Sequence, residues 1–530
     1  MELYSLNFVL FLAALAVTYF GVGRILGRGQ WVVLLAGSLC FYCLMGGLPT
    51  LWLVIATAAV TWAAGLALAR LDAECRDRRK AAPDRAAKKE IKARFARLRR
   101  VVLLAALACC LGALGYLKYW NVILWQAGAA PSPSSLGLVL PLGISFYTFQ
   151  AVGYLLDCYN GRVEAERSLP RYLLFVSYFP QLIQGPINRW ADLAPQLLGR
   201  NRADWDRARR ALLLFLFGAM KKYAVANVLS GRIDAIFSSV DAGMPGSVVV
   251  LGILLYSAQQ YADFSGGIDM VLAASELLGV RMAPNFKRPY FAVSLADFWR
   301  RWHVSLGAWM RDYVFYPFAL TRPMKALGRW SGERLGRHLG RTLPACCANV
   351  LVFLIVGVWH GAEVHYVAWG LYNGLVIAAA DLFSPAFARM RTTLGADSHP
   401  RLWRVWATLR TFLVVNLGWY FDRIYDFGDS LTCLRATFLN FAPQLMKPTL
   451  AELFGPKAAG PLGVSYIAII GCVAIFAVSL VEERGHDVRE LVLSRGLLVR
   501  TCAYVALLFL TASSYAFSIG GAGGFMYANF

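Results

Sequence analysis

The feature that most constrains this chain is a series of apolar runs, each about as long as a bilayer is thick. A helix that crosses roughly 30 Å of hydrocarbon needs about 20 mostly apolar residues. A weaker run, 209–230, is interrupted by Lys221 and Lys222. The clear runs are 5–23, 31–47, 50–69, 101–125, 137–157, 247–265, 346–360, 366–383, 405–422, 463–481 and 500–517. The sequence therefore predicts an all-α polytopic membrane protein with about 11 or 12 spans.

The composition excludes several other classes of protein. Hydrophobic residues make up 58% of the chain and charged residues 16%, whereas soluble domains carry about 25% charged residues. This rules out a disordered chain or a coiled coil, and most of the eleven cysteines lie inside apolar runs, unlike those of a disulfide scaffold. The net charge of +22 does not indicate nucleic-acid binding, because the Lys and Arg lie between the apolar runs.

The positions of Lys and Arg also predict which loops face the cytoplasm. Segment 71–100 is the most basic, whereas connections 126–136 and 237–246 contain no Lys or Arg. Arg-rich loops also occur at 158–210, 266–345 and 384–404. Counting spans from these loops places the N-terminus and the uncharged tail, 518–530, on the extracytoplasmic side. The basic loops could bind a soluble carrier or anionic lipid headgroups, or they could simply be solvated.

Two apolar segments contain helix-breaking residues and predict irregular backbone at membrane depth. They are 139–149, which contains Pro141 and Gly143, and 172–187, which contains Pro180 and Gly185. Such backbone is tolerated only where protein or water covers it, so these segments indicate re-entrant structure around a cavity. A kinked structural helix is the alternative.

His360 is the first candidate for chemistry. It ends the apolar run NVLVFLIVGVWHGA, beside Trp359. An imidazole can take a proton from a hydroxyl or thiol and return it, and an ionisable group within a span is a functional candidate. A structural histidine, hydrogen-bonded within the bundle, is the alternative.

His303 is the second candidate, in the interfacial stretch LADFWRRWHVSLGAWMRDY. Aromatic residues such as Trp302 alternate there with Arg300, Arg301 and Arg311. Such a segment can lie at the membrane surface and offer cations to an anionic ligand. It can equally be an amphipathic anchor with an aromatic belt.

Neither a metal site nor a nucleotide site is expected from the sequence. His360 and His365 are five residues apart, whereas a zinc-binding pair on a helix is four apart. The chain contains no G-x-x-x-x-G-K-[ST], G-x-S-x-G or G-x-G-x-x-G motif. These absences disfavour a nucleotide-driven pump and a serine hydrolase.

Five separated motifs resemble the membrane-bound O-acyltransferase family. They are LPLGISFYTFQ (140–150), YFPQLIQGPINRW (178–190), YADFSGGIDM (261–270), NFKRPYFAVSLADFWRRWHVSLGAWMRDY (285–313) and VWHGA (358–362). Their order and residues are most similar to the bacterial branch that includes alginate O-acetylation and teichoic-acid D-alanylation proteins. The longer Arg-rich stretch 319–345 departs from the alginate type, which leaves the acceptor open.

The resemblance implies a helical bundle around a tunnel, lined near Pro141 and Pro180. In such a bundle His360 is the essential base, and His303 positions the thioester or assists proton transfer. Arg300, Arg301, Trp302 and Arg311 would bind the donor, a cytoplasmic acyl thioester such as acetyl-CoA, with no bound cofactor. The acetyl group would pass through an extracytoplasmic transferase to a polysaccharide such as alginate. The resemblance also implies the bacterial inner membrane, with an acyltransferase core at 1–425 and further helices at 426–517.

The C-terminal tail, 518–530, carries a second resemblance. Its end, GGFMYANF, has Phe525, Tyr527 and Phe530 in F-x-Y-x-x-F spacing. This is similar to the end of the small partner peptide of the D-alanylation system, where a tyrosine carries the acyl group. A phenol has a pKa of about 10, so a neighbouring imidazole would have to deprotonate it.

Two other functions remain open at this stage. Within the family, the chain could transfer D-alanyl from a carrier protein or acetylate peptidoglycan. Outside it, the chain could be a polysaccharide or lipid transporter in which nothing covalent happens. The two motif histidines, and the absence of an internal repeat, disfavour the transporter.

Overall fold

The computed structural model describes residues 6–129, 140–238, 240–241, 243–455 and 464–518. Within these residues the regular elements are helices, and one isolated antiparallel bridge joins Phe286 to Trp302. In chain order the helices are α1 (Leu6–Ile25), α2 (Gln30–Gly46), α3 (Leu48–Ala81), α4 (Arg85–Gln126), α5 (Ile144–Tyr159), α6 (Leu169–Ser177), α7 (Phe179–Ile183), α8 (Trp190–Leu198), α9 (Trp205–Met220), α10 (Val228–Phe237), α11 (Gly246–Leu277), α12 (Leu295–Arg301), α13 (Val304–Met310), α14 (Tyr316–Ala319), α15 (Arg322–Leu335), α16 (Arg337–His360), α17 (Val364–Leu382), α18 (Ser384–Thr393), α19 (Pro400–Arg423), α20 (Phe427–Leu439), α21 (Met446–Phe454), α22 (Val464–Glu483), α23 (Val488–Leu493) and α24 (Leu497–Ser518).

The all-α polytopic architecture is confirmed. Among the described residues, seven helices are long and apolar enough to cross a membrane, and the pair α17 and α18, bent by 62°, makes an eighth if it is one span. The seven are Leu6–Ile25, Leu48–Ala81, Arg85–Trp125, Trp205–Phe237, Arg337–His360, Ser465–Glu483 and Leu497–Tyr515.

The other predicted spans are also helical, but they are shorter or more polar. Helix α2 has 17 residues and α5 has 16. Helix α11 is long, but Gln259, Gln260 and Asp263 are buried inside it and lower its mean hydropathy. Helix α19 likewise carries Arg404 and Arg410. Buried polar positions such as those of α11 occur in membrane helices that face protein rather than lipid, whereas Arg404 and Arg410 of α19 are exposed.

The two segments predicted to be irregular differ in outcome. In 172–187 the chain is broken between α6 and α7 and is again non-helical after Ile183, as expected from Pro180 and Gly185. In 139–149 only 140–143 is non-helical, and 144–149 form regular helix at the start of α5. The prediction was wrong there because Pro141 and Gly143 precede the helix and therefore do not interrupt it. Residue 139 lies outside the described residues.

The chain divides into two compact units, of which the first comprises 1–211 and 271–283. Its longest helices are α3, with 34 residues, and α4, with 42. At about 1.5 Å per residue each exceeds the roughly 30 Å of hydrocarbon. The basic segment 71–100 is therefore mostly helix rather than loop, and the side chain of Asp84 caps α4 by accepting from Ala87 N at 2.7 Å.

The second unit comprises 212–270 and 284–530. Helices α16 and α17 form its closest hairpin. A Cβ atom on Gly357 would lie 2.4 Å from the Tyr366 carbonyl oxygen, and one on Gly370 would lie 2.4 Å from that of Phe353. The two backbones approach this closely because both positions are glycine.

Two buried ion pairs also belong to the second unit. A π-helical stretch, Lys221–Asn227, follows α9. From it Lys221 Nζ lies 2.7 Å from Asp269 Oδ2, and Lys222 Nζ lies 2.5 Å from Asp263 Oδ1, with both Lys222 and Asp263 side chains 2% exposed. The lysines that weakened run 209–230 as a predicted span are thus neutralised inside the protein.

Candidate active site

The segment around His303 is held by backbone pairing with residues 285–287, and 285–288 together with 301–304 are called here the His303 bridge. Lys287 N donates to Arg301 O at 2.9 Å, and Val304 N donates to Asn285 O at 3.0 Å. Phe286 and Trp302 pair between these two hydrogen bonds. The bridge fixes the short connection between α12 and α13.

His303 occupies a constrained position in that connection. Its φ is 48°, in the left-handed region that side chains other than glycine rarely adopt, and its side chain is buried. The Oδ1 atom of Asn285 accepts from His303 Nδ1 at 3.0 Å, from Ser305 N at 3.1 Å and from Ser305 Oγ at 2.8 Å. Because Nδ1 carries the donated proton, Nε2 is the basic nitrogen of this ring.

Burial also determines the charge of His303. Removal from water lowers the pKa of His303 to about 3, because the charged imidazolium is disfavoured in an apolar site. The ring of Phe264 packs edge-on against it, with centroids 4.9 Å apart. At physiological pH the imidazole is therefore neutral and able to accept a hydrogen bond or a proton.

His360 lies at the C-terminal end of α16 and is 5% exposed. Aromatic rings surround it. Its centroid is 5.0 Å from that of Trp359, 5.1 Å from that of Trp369 and 5.9 Å from that of Tyr366. This packing holds the imidazole at the end of the span, where the sequence placed it.

Both histidines line one cavity of about 460 Å³ in the second unit. On α16 the lining residues run from Asn349 to His360, which at about 1.5 Å per residue corresponds to roughly 16 Å along the helix. The other walls come from α12, α13 and α17. The cavity thus extends along α16, with both imidazoles on its wall. Neither Pro141 nor Pro180, which belong to the first unit, is among its lining residues.

Charged side chains line the cavity away from His360. Arg300 is 72% exposed, 3.7 Å from Asp297, and Arg311 is 58% exposed, 2.9 Å from Asp312. Hydrogen bonding to Asp312 raises the pKa of Arg311. Asp381, near the end of α17, is also part of the lining. The exposed guanidinium groups of Arg300 and Arg311 in the lining suit an anionic ligand.

Trp302 and Arg301, also predicted to bind the donor, occupy different environments. Trp302 is 1% exposed and lines the cavity, stacked on Phe298 with centroids 5.4 Å apart. Arg301 is not part of the cavity lining. Its guanidinium instead contacts Asp297 at 3.1 Å and Glu483 at 3.0 Å.

Several residues of the site were not singled out from the sequence. Asn285 begins the quoted NFKRPY motif, and only the structure assigns it a partner. Asn373 holds the cavity wall, because its Oδ1 accepts from Trp299 Nε1 at 3.0 Å. Glu483 contacts Arg301 from a position 182 residues away, and no local pattern could have revealed that contact.

Two further expectations concern metals and the tail. No group of three or more His, Cys, Asp or Glu side chains that could hold a metal ion occurs within the described part of the chain. Tyr527 and the rest of the F-x-Y-x-x-F motif lie outside the described residues, so the role predicted for Tyr527 stays a prediction.

Comparison with known proteins agrees with these features. Residues 163–328 match the family model of MBOAT, the membrane-bound O-acyltransferase family. The "Probable alginate O-acetylase AlgI" of Pseudomonas putida is 32% identical over 374 residues, which cover 69% of this chain and 70% of that protein. The chain belongs to the membrane-bound O-acyltransferase family. The resemblance inferred from the five motifs is thereby confirmed.

Other relatives of this family member include a second alginate O-acetylase and two proteins with different names. The "Probable alginate O-acetylase AlgI" of Pseudomonas aeruginosa is 32% identical over 67% of this chain, and the chain spans 64% of its length. The "Peptidoglycan O-acetyltransferase" of Helicobacter pylori is 30% identical over 64% of each chain. The "Teichoic acid D-alanyltransferase" of Bacillus subtilis is 28% identical over 49% of this chain and 64% of its own.

Proposed function

We propose that this protein is a membrane O-acyltransferase that moves an acetyl group from cytoplasmic acetyl-CoA across the bacterial inner membrane. The final acceptor is a hydroxyl of an extracytoplasmic polysaccharide such as alginate, reached through a separate extracytoplasmic transferase. The observation that carries this proposal is the single cavity with His303 and His360 on its wall and Arg300 and Arg311 in its lining. The names of the alginate O-acetylase relatives support the choice of acetyl and polysaccharide.

The geometry supports specific roles for these residues. The phosphates of the donor bind at Arg300 and Arg311, and the thioester arm extends along α16 toward His360. Arg301 forms ion pairs with Asp297 and Glu483, so its role in this proposal is structural. Trp302 forms apolar wall, and His303 assists proton transfer through the lone pair on Nε2.

The chemical step uses Tyr527 as the transient acyl carrier. His360 takes the phenol proton, and the phenolate oxygen attacks the thioester carbonyl. The C–S bond breaks as the aryl ester forms, and the CoA thiolate leaves with the proton that His360 took from the phenol. An acceptor hydroxyl then attacks the aryl ester and releases the tyrosine. We also propose that the tail 518–530 and the N-terminus are extracytoplasmic, with 1–425 as the catalytic core and 426–517 as further helices.

The test uses the purified full-length chain in detergent with radiolabelled acetyl-CoA. We expect covalent label on Tyr527 in the wild type and none in Tyr527→Phe. His360→Ala should lower labelling by about 100-fold or more, the usual contribution of a general base. His486→Ala is the matched control, because His486 is exposed in a short connection after α22. Unchanged labelling in a monodisperse His360→Ala protein would refute the mechanism.

Transfer of D-alanyl, or acetylation of peptidoglycan, is the second candidate. It is favoured by the relatives from Bacillus subtilis and Helicobacter pylori, whose names give those activities. Mild base releases the acyl group from the acceptor polymer, and mass spectrometry identifies it. Acetate on a polysaccharide supports the first candidate, whereas D-alanine or acetylated muropeptides support the second. An unlabelled wild type with every thioester donor would instead favour a transporter.

A further inference from the structure

The carboxylate of Glu483, at the end of α22, accepts hydrogen bonds from three arginines. Its Oε2 lies 2.9 Å from Arg288 Nε and 3.0 Å from Arg301 Nη1, and its Oε1 lies 2.8 Å from Arg404 Nη2. The Glu483 side chain is 13% exposed, whereas that of Arg404 is 62% exposed. These four side chains form a group called here the Glu483 cluster.

Two members of the cluster belong to the His303 bridge. Arg301 precedes His303 by two residues, and its backbone oxygen accepts from Lys287 N, next to Arg288. Arg288 has a φ of 50°, so the bridge contains two non-glycine residues in the left-handed region, Arg288 and His303. Such conformations cost about 1–3 kcal/mol each and persist only where surrounding contacts enforce them. Asn285 supplies those contacts at one end of the bridge, and Glu483 supplies them at the other.

Glu483 also determines the charge balance of the cluster. Its Oε2 atom alone joins the guanidinium groups of Arg288 and Arg301, which repel one another when that negative charge is lost. Asp297 would still contact Arg301 at 3.1 Å, but Glu482 reaches Arg288 only at 3.8 Å. The pair is partly buried, with the Arg288 side chain 30% exposed and that of Glu483 13% exposed, and removing one partner leaves the other charge uncompensated. The two strands of the bridge would then separate on the side of Arg288.

We propose that Glu483 is a positioning residue for His303, which it holds in the cavity wall through Arg288 and Arg301. The inference rests on the proposed function, since His303 assists proton transfer there. Glu483 touches neither the cavity nor the histidine, so its loss lowers turnover without removing a donor contact. It also gives helix α22, outside the family match at 163–328, a direct part in shaping the active site.

The experiment compares Glu483→Gln, Glu483→Asp and Glu482→Gln with the wild type as full chains in detergent. The rate of CoA thiol release is measured against acetyl-CoA concentration, per mole of monodisperse protein. For Glu483→Gln we expect kcat to fall at least tenfold while KM stays within about threefold. Glu483→Asp, which keeps the charge on a shorter side chain, should recover part of kcat. Glu482→Gln is the matched control and should stay within about twofold of wild type.

A wild-type kcat in Glu483→Gln, with or without a lower yield of folded protein, overturns the inference. If Glu483→Gln does not fold, a wild-type kcat in Glu483→Asp overturns it as well. An equal loss of kcat in Glu482→Gln also contradicts the inference, because removing any negative charge at the end of α22 would then have the same effect.

Hydrogen–deuterium exchange separates this inference from the proposed function. The amides of Lys287 and Val304, both donors in the His303 bridge, should exchange at least tenfold faster in Glu483→Gln than in Glu482→Gln. If the wild type releases no CoA, or His360→Ala is fully active, the proposed function fails. The exchange rates then decide whether Glu483 holds the bridge, and equal rates in the two variants would overturn that claim.

Discussion

Asn285→Ala tests most directly whether the orientation of His303 matters. The Oδ1 atom of Asn285 accepts three hydrogen bonds, one from the His303 ring and two from Ser305, and the residue is 1% exposed. Each such bond contributes about 1 kcal/mol net. Removing their common acceptor should therefore lower the free energy of unfolding by about 3 kcal/mol, measured by chemical unfolding in detergent.

The effect of Asn285→Ala on turnover follows from the His303 bond alone. Without an acceptor at Nδ1, the ring can rotate or carry its proton on Nε2, which removes the lone pair from the cavity. Loss of this orienting hydrogen bond, at about 1 kcal/mol, corresponds to a roughly fivefold lower kcat. The assay is CoA thiol release at saturating acetyl-CoA, per mole of monodisperse protein.

Ser305→Ala is the matched control for this prediction. It removes the hydroxyl donor to Asn285 but keeps the bond between Asn285 and His303. We expect it to lose about 1 kcal/mol of unfolding free energy while kcat stays within about threefold of wild type. A wild-type kcat in folded Asn285→Ala would refute the reasoning, and so would an equal loss of kcat in the two variants.

The remaining predictions concern stability. The pKa of His303 is about 3 in the folded protein, below its value of about 6.5 in the unfolded chain. The stabilisation that comes from this difference is therefore complete above pH 6.5 and is lost as the pH falls toward 3. Between about pH 7.5 and 5.5 the wild type should lose roughly 1.4 kcal/mol more unfolding free energy than His303→Asn, and an equal loss would contradict the pKa. Gly370→Ala should lower the unfolding free energy by about 1–3 kcal/mol, because its Cβ would meet the opposing backbone. Gly112→Ala, with nothing within 4 Å of a Cβ, should not lower it. Lys222→Met should lower the unfolding free energy by about 3–5 kcal/mol, because it leaves Asp263 without its partner. The double variant Lys222→Met/Asp263→Leu should recover most of that loss, and no recovery would show that the ion pair is not the cause.

The sequence predicted the features that depend on local composition. Apolar runs predicted an all-α membrane protein, and an imidazole at the end of one such run identified His360. The motif around His303 made this residue the second candidate, and in the structure His303 lines the same cavity as His360. The many charged residues of 71–100 predict a solvated loop, but this segment is mostly helix. Charged residues also form helices where a helix extends beyond the bilayer.

The sequence could not predict which neighbouring side chains act together. Arg300 and Arg301 are adjacent, yet successive helical residues point about 100° apart, so Arg300 lines the cavity while Arg301 contacts Glu483. The partners of His303 were missed for a related reason. Asn285 is 18 residues away from His303, and Glu483 reaches it only through two arginines. Such contacts depend on tertiary packing, which no single-sequence pattern encodes.

The close packing of α16 on α17 bears on how the cavity can open. Because the backbones touch at Gly357 and Gly370, the wall that carries His360 moves as one body. The opposite wall consists of the short helices α12 and α13, whose connection depends on a few hydrogen bonds and ion pairs. Such segments open at lower free energy than tightly packed helices. Under the proposed function we therefore expect the His303 wall to move when a long substrate arm enters, while the His360 wall keeps its position.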